Sequence, residues 1–162
     1  MFSLLWPEFI GGRGAVGLLF MRLISGFALI QHGWPKIQHA FNWMPAEMGM
    51  PGSLQALAAL AEFGGGLALM LGLLTPIACF GIACTMGVAL LTVHLPHGDP
   101  MVGATGKASY EAALTYFAVG VMYIFTGPGT FALDAIFFRE KEKAPTSLRS
   151  TPLGHISGIL RV

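Results

Sequence analysis

Four long apolar stretches alternate with short segments rich in proline, glycine and polar residues: Gly14 to Gly33, Ser53 to Leu74, Pro76 to Leu95 and Tyr110 to Thr126. Each approaches the roughly 20 residues that carry a helix across the hydrocarbon of a bilayer. The boundaries fall where helices stop or start: Pro35, Pro51-Gly52-Ser53, Thr75-Pro76, Pro96 and Gly127-Pro128-Gly129. Almost no loop separates the second stretch from the third, which predicts a tight antiparallel hairpin. A fifth apolar run, Thr130 to Phe138 (TFALDAIFF), is too short to cross and runs into Arg139-Glu140-Lys141-Glu142-Lys143. It reads as an interfacial helix. The expected fold is all-α: an integral membrane four-helix bundle over residues 1–138 with a short C-terminal interfacial helix at 130–138. Residues 139–162 are charged, then rich in Ser, Thr, Pro and Gly, and predict a flexible tail, with His155 to Val162 apolar enough to dock on a partner.

Composition agrees with the pattern. The chain is 54% hydrophobic and only 10% charged, against about 25% charged in soluble domains, and its mean hydropathy is +0.68. A net charge of +1 offers no field for recruiting nucleic acid, and the bilayer is the expected partner. Cys79 and Cys84 stand five apart in one apolar run, on different sides of a helix, so they cannot bridge each other and read as core residues.

With four spans, the connections Pro35 to Gly52 and Pro96 to Ser109 share one side and both termini share the other. The terminal side carries Arg13, Arg139, Lys141, Lys143 and Arg149, whereas the two loops carry Lys36 and Lys107. Cations concentrate on the cytoplasmic side, so both termini are predicted cytoplasmic. Met1 to Gly12 holds no Lys or Arg, and no convincing small-residue cleavage site follows the first apolar run, so that helix is expected to be retained rather than cleaved.

Ionisable groups inside spans are costly and mark partners, cavities or function. Arg22 lies about 11 residues from the loop end of the first span and Glu62 about 9 from that of the second, roughly 16 and 14 Å deep at 1.5 Å per residue. Matching depth predicts a buried Arg22–Glu62 ion pair between the first two helices. Gln31, His32, Lys36, His94, His97 and Glu111 fall in the same half, so all four helices are expected to contribute to one polar cluster. Gly64, Gly65 and Gly66, with Gly26 one turn past Arg22, predict close helix packing. Met44, Met48 and Met50 with Trp34, Phe41 and Trp43 read as a lid at the interface. The alternative use of these methionines, with His39 and His97, is a copper(I) site.

The chain resembles the DoxX family of small four-helix membrane proteins from about Gly14 to Asp134. Arg22-Leu-Ile-Ser-Gly26 and His32-Gly33-Trp-Pro-Lys36 are similar to the family's opening helix. Glu62-Phe-Gly-Gly-Gly is similar to its Glu-x-x-Gly-Gly stretch, and Gly127-Pro-Gly129 with Leu133-Asp134 to its close, although Thr130-Phe-Ala-Leu-Asp134 stands where Ser-Leu-Asp is usual. The resemblance implies the bacterial cytoplasmic membrane, and for some members a place in quinone-linked oxidoreductases.

Two functional expectations follow. In the first, the chain is a redox subunit whose outer-half pocket binds a quinone through Arg22, His32, Lys36, Glu62, His94 and Trp34, with Phe63 stacking and Glu62 and Glu111 as candidate proton-relay residues. No haem, flavin or iron-sulfur motif is visible, so electrons would come from a partner. In the second, it is a non-catalytic accessory subunit packed against a larger membrane complex or another copy, and the polar cluster only holds the helices in register.

Overall fold

A computed structural model describes residues 8–104 and 106–138. The tail, including Arg139, Lys141, Lys143 and Arg149, lies outside them. Among the described residues the chain is wholly helical: α1 (Gly12–Gln38), α2 (Gly52–Leu71), α3 (Thr75–His97), α4 (Glu111–Thr126) and a short α5 (Leu133–Phe138). α1, α2 and α3 are each long and apolar enough to cross a membrane, and α4 is a shorter apolar helix. Only 28% of the most apolar window of each long helix is buried within the protein. The outward faces carry Phe20, Ile24, Phe27, Leu57, Leu60, Phe80, Leu91 and Phe125, a surface suited to lipid and not to water.

Heptad-like spacing explains the packing order. On α1 the buried residues include Arg22, Gly26, Leu29 and Gly33; on α2 they include Gln55, Ala59, Glu62, Gly66 and Leu69. Both stripes step by three and four residues, one seam of a helix. Small residues bring the seams together: a Cβ on Gly26 would lie 2.7 Å from the Gly66 carbonyl, and one on Gly33 would strike the main chain of Phe63. The glycine run divides its tasks. Gly66 faces α1, Gly65 faces Ile82 of α3, and Gly64 meets only its own helix at Leu60. Gly120 of α4 continues the scheme against Cys79 and Ala83 of α3. Tyr123 of α4 donates from its hydroxyl to the Leu18 carbonyl at 2.7 Å, closing the bundle back onto α1. Leu29, Leu69, Cys79, Ile82, Met86, Val119 and Tyr123 form the core between these helices.

Three boundaries differ from the sequence expectation. α1 does not stop at Gly33 but passes through Pro35 to Gln38. The proline removes one main-chain bond, and the residue four before it, Gln31, is exposed. α3 similarly continues through Pro96 to His97, with one π turn at Leu90–His94. Helical structure after α4 begins only at Leu133, because Gly127–Gly129 turn the chain with two glycines at positive φ.

The α2–α3 hairpin is as tight as predicted. Gly72 caps α2 in the left-handed region and Leu74 follows at φ 49, a conformation unusual for a side-chain-bearing residue. Asp134 of α5 holds it there: its Oδ1 accepts from the Leu74 N–H at 2.6 Å and its Oδ2 from the Thr75 N–H at 2.8 Å. The fifth helix is thus a buried cap on the start of α3 as well as an apolar surface.

Candidate functional site

At the loop end the seam between α1 and α2 closes on a charge pair. Lys36 Nζ lies 2.6 and 2.7 Å from the two carboxylate oxygens of Glu62. Glu62 is almost fully buried, while the Lys36 side chain keeps 27% of its exposure. Extension of α1 past Pro35 creates this pair, since Lys36 sits one turn beyond Gly33, on the stripe that faces α2. Carboxylate bonding uses two of the ammonium's three donors, and the cation also sits 4.7 Å from the centre of the Trp43 ring, a cation–π distance.

The expected Arg22–Glu62 pair is not formed. Gly33 packs at Phe63, so the antiparallel register sets Glu62 beside the end of α1 and Arg22 beside Gly72, at the opposite end of α2. α1 runs five residues past Gly33, to Gln38, so equal depths counted from Gly33 and Ser53 do not bring Arg22 and Glu62 together. Arg22 is fully buried and donates from Nη2 to the Phe131 carbonyl. Its Nε and Nη1, like the Thr75 hydroxyl, are buried without a hydrogen-bond partner among the described residues. Arg22 therefore belongs to the terminal end, tying the segment after α4 to α1.

Beside the Lys36–Glu62 pair lies a pocket of about 180 Å³. Its walls are α2 (Leu54, Leu57, Ala58, Glu62) and α3 (Cys84, Thr85, Val88, Ala89, Thr92, Val93), and Trp43, Met44 and Met50 of the loop cover its end. Leu54, Leu57 and Val88 are also exposed on the outside of the bundle, so the pocket is a groove open along the α2–α3 face. The π turn of α3 sits alongside, and Thr92 returns its hydroxyl to the Val88 carbonyl at 2.8 Å. Such turns recur at functional sites in helices.

One residue unnoticed in the sequence organises the cover. Gln55 is buried, donates from Nε2 to the Met50 carbonyl and accepts at Oε1 from the Met44 N–H, both at 2.9 Å. Its own carbonyl accepts from the Trp43 indole at 2.9 Å. The signal was present in its spacing, seven residues before Glu62, which places the two on one helix face.

The other predicted residues disperse. His32 is exposed, its ring edge-on to Tyr116 at 5.9 Å. Trp34 is also exposed and packs on Phe63 at 5.6 Å, outside the groove. His94 pairs through Nδ1 with Asp99 at 2.8 Å, and His97 donates to the Val93 carbonyl at 2.6 Å. Glu111 is exposed at the start of α4 and does not line the groove; α4 contributes nothing to it. Of the copper candidates, Met44 and Met50 line the groove, Met48 is exposed on a short 3-10 turn, and His39 is exposed after α1. Gln31 is exposed too.

The sequence pattern that defines the DoxX family matches residues 17–95, the part of the chain holding the α1–α2 seam and both groove walls. The chain is 34% identical over 124 residues to the inner membrane protein YqjF of Escherichia coli (strain K12), covering 75% of this chain and 92% of that protein. It is 28% identical over 134 residues to a Bacillus subtilis (strain 168) protein named "Putative oxidoreductase CatD", covering 82% and 95%. No solved structure gives a significant match. The protein belongs to the DoxX family, and its relatives share almost their whole length with it.

Proposed function

We propose that this protein is a membrane subunit of a quinone-linked oxidoreductase system and holds the quinone in the groove between α2 and α3. The observation that carries the reading is a groove with apolar walls that is also lined by the Lys36–Glu62 pair, its carboxylate buried and its ammonium against the Trp43 ring. A quinone head is a flat apolar ring with carbonyl oxygens that need donors. Lys36 retains one N–H for such an oxygen, Glu62 fixes the ammonium, and Leu57, Ala58 and Val88 form walls for the ring. Trp43 keeps the cation in place and reduces its contact with water. The oxidoreductase name of the B. subtilis relative supports the reaction class.

The bound quinone would supply two-electron chemistry, and the electrons would come from a partner subunit. The chain's own contribution is to bind and orient the head and to exclude water. In the bacterial inner membrane, with both termini cytoplasmic, the groove lies in the extracytoplasmic half.

Organic extraction of the purified protein tests this. Stoichiometric quinone is expected from the wild type and its loss from Glu62→Gln and Lys36→Met. A quinone-free extract from protein that still co-purifies with a large membrane complex would overturn it in favour of an accessory packing role.

A further inference from the structure

The groove is closed toward its loop end and open toward the side. At the loop end, the cover is pinned through both polar atoms of the Gln55 amide and the indole bond to its carbonyl. Trp43 then rests on Lys36. At the side, Leu54, Leu57 and Val88 line the groove and are at the same time 52%, 62% and 47% exposed on the outside of the bundle. Such a rim is costly against water and carries no such cost against lipid. The polar pair lines the same slot with its Glu62 carboxylate buried while the apolar rim is exposed, an arrangement complementary to an amphiphile that arrives head first and leaves its tail among the lipids.

Resting on the groove reading above, we propose that the ligand enters sideways from the bilayer through the slot between α2 and α3, and is a quinone with a hydrocarbon tail. Gln55 is a positioning residue that holds the cover shut against water. Val88 and Leu57 set the width of the slot. The ligand is therefore drawn from the membrane pool, and its head meets Lys36 without crossing the aqueous face.

The test uses the full chain in lipid nanodiscs, with Trp6 and Trp34 replaced by Phe so that Trp43 alone reports by fluorescence. Aqueous iodide should quench Trp43 weakly, and a decyl-tailed benzoquinone dissolved in the lipid should quench it saturably. Val88→Phe should weaken the decylquinone response at least about tenfold without altering iodide quenching. Gln55→Leu should raise iodide quenching several-fold. Thermal midpoints of both variants establish that they are folded, and Val88→Phe tests the route independently should Gln55→Leu unfold. Saturable quinone quenching that Val88→Phe leaves unchanged, with iodide reaching Trp43 freely in the wild type, would overturn the lateral route while leaving the groove reading intact. Absence of any saturable response would overturn both.

Discussion

Lys36 and Glu62, 26 residues apart in sequence, meet across the α1–α2 seam with one ammonium bonded to both carboxylate oxygens. The pair lies where the groove, the cover and the seam converge, so its energetics and its chemistry are coupled. Removing one partner of a buried pair leaves the other charged and desolvated, whereas removing both does not. Lys36→Met should destabilise the protein by about 3 kcal/mol, toward the lower end for buried pairs because Lys36 is partly exposed. Lys36→Met with Glu62→Leu should recover most of the loss. Thermal or denaturant unfolding in detergent measures both.

Arg22 of α1 lies beside Gly72, ten residues or about 15 Å along α2 from Glu62, and their substitutions should behave independently. Arg22→Met and Glu62→Gln are expected to add within roughly 0.5 kcal/mol, as distant sites do. The Lys36 and Glu62 substitutions should show a coupling of about 1 kcal/mol or more in the same double-mutant format. Strong coupling between Arg22 and Glu62 would contradict the register described here.

The three neighbouring glycines of α2 should respond differently to the same added methyl group. A Cβ on Gly66 would lie 2.9 Å from the Gly26 carbonyl, main chain against main chain, whereas one on Gly64 would meet only the flexible end of Leu60 at 3.1 Å. Gly66→Ala should cost about 1–3 kcal/mol through separation of α1 from α2, and Gly64→Ala should be close to neutral. Comparing the two unfolding midpoints decides it.

Asp134 should matter for stability more than its place near the described C-terminal end implies. Asp134→Ala removes both acceptors for the Leu74 and Thr75 N–H groups and should cost roughly 2 kcal/mol, the upper range for a lost cap. Hydrogen exchange at the start of α3 should rise, with little change at the Lys36 end of the bundle.

Much of this architecture was legible because lipid imposes length and composition on each span. The four apolar stretches, the hairpin at Thr75-Pro76 and the packing role of the α2 glycines all follow from the sequence. The register of α1 on α2 did not, since Pro35 marks a local stop that helix packing overrides at the cost of one main-chain bond. That single misplaced end displaced Arg22 toward Glu62 and left Lys36 as a loop residue. Locally Asp134 belongs to an apolar run with the pattern of an interfacial helix, and nothing in that run points to its partners at Leu74 and Thr75, 60 and 59 residues away. Spacing did not settle burial either: Cys84, expected in the core, is exposed along the groove, and Gln55, which no motif marks, is buried.

The central claim is that a quinone head occupies the groove between α2 and α3 beside Lys36, and photolabelling measures it most directly. Full-length protein in membranes is irradiated with a tailed benzoquinone bearing a photoreactive group on its ring, and the adducts are located by peptide mass spectrometry. The account predicts adducts within Leu54 to Glu62, Cys84 to Val93 and at Trp43, competed by unlabelled quinone and diminished by Glu62→Gln. Competed adducts concentrated on His32, Tyr116 and Glu111, on the α1–α4 side, would contradict it.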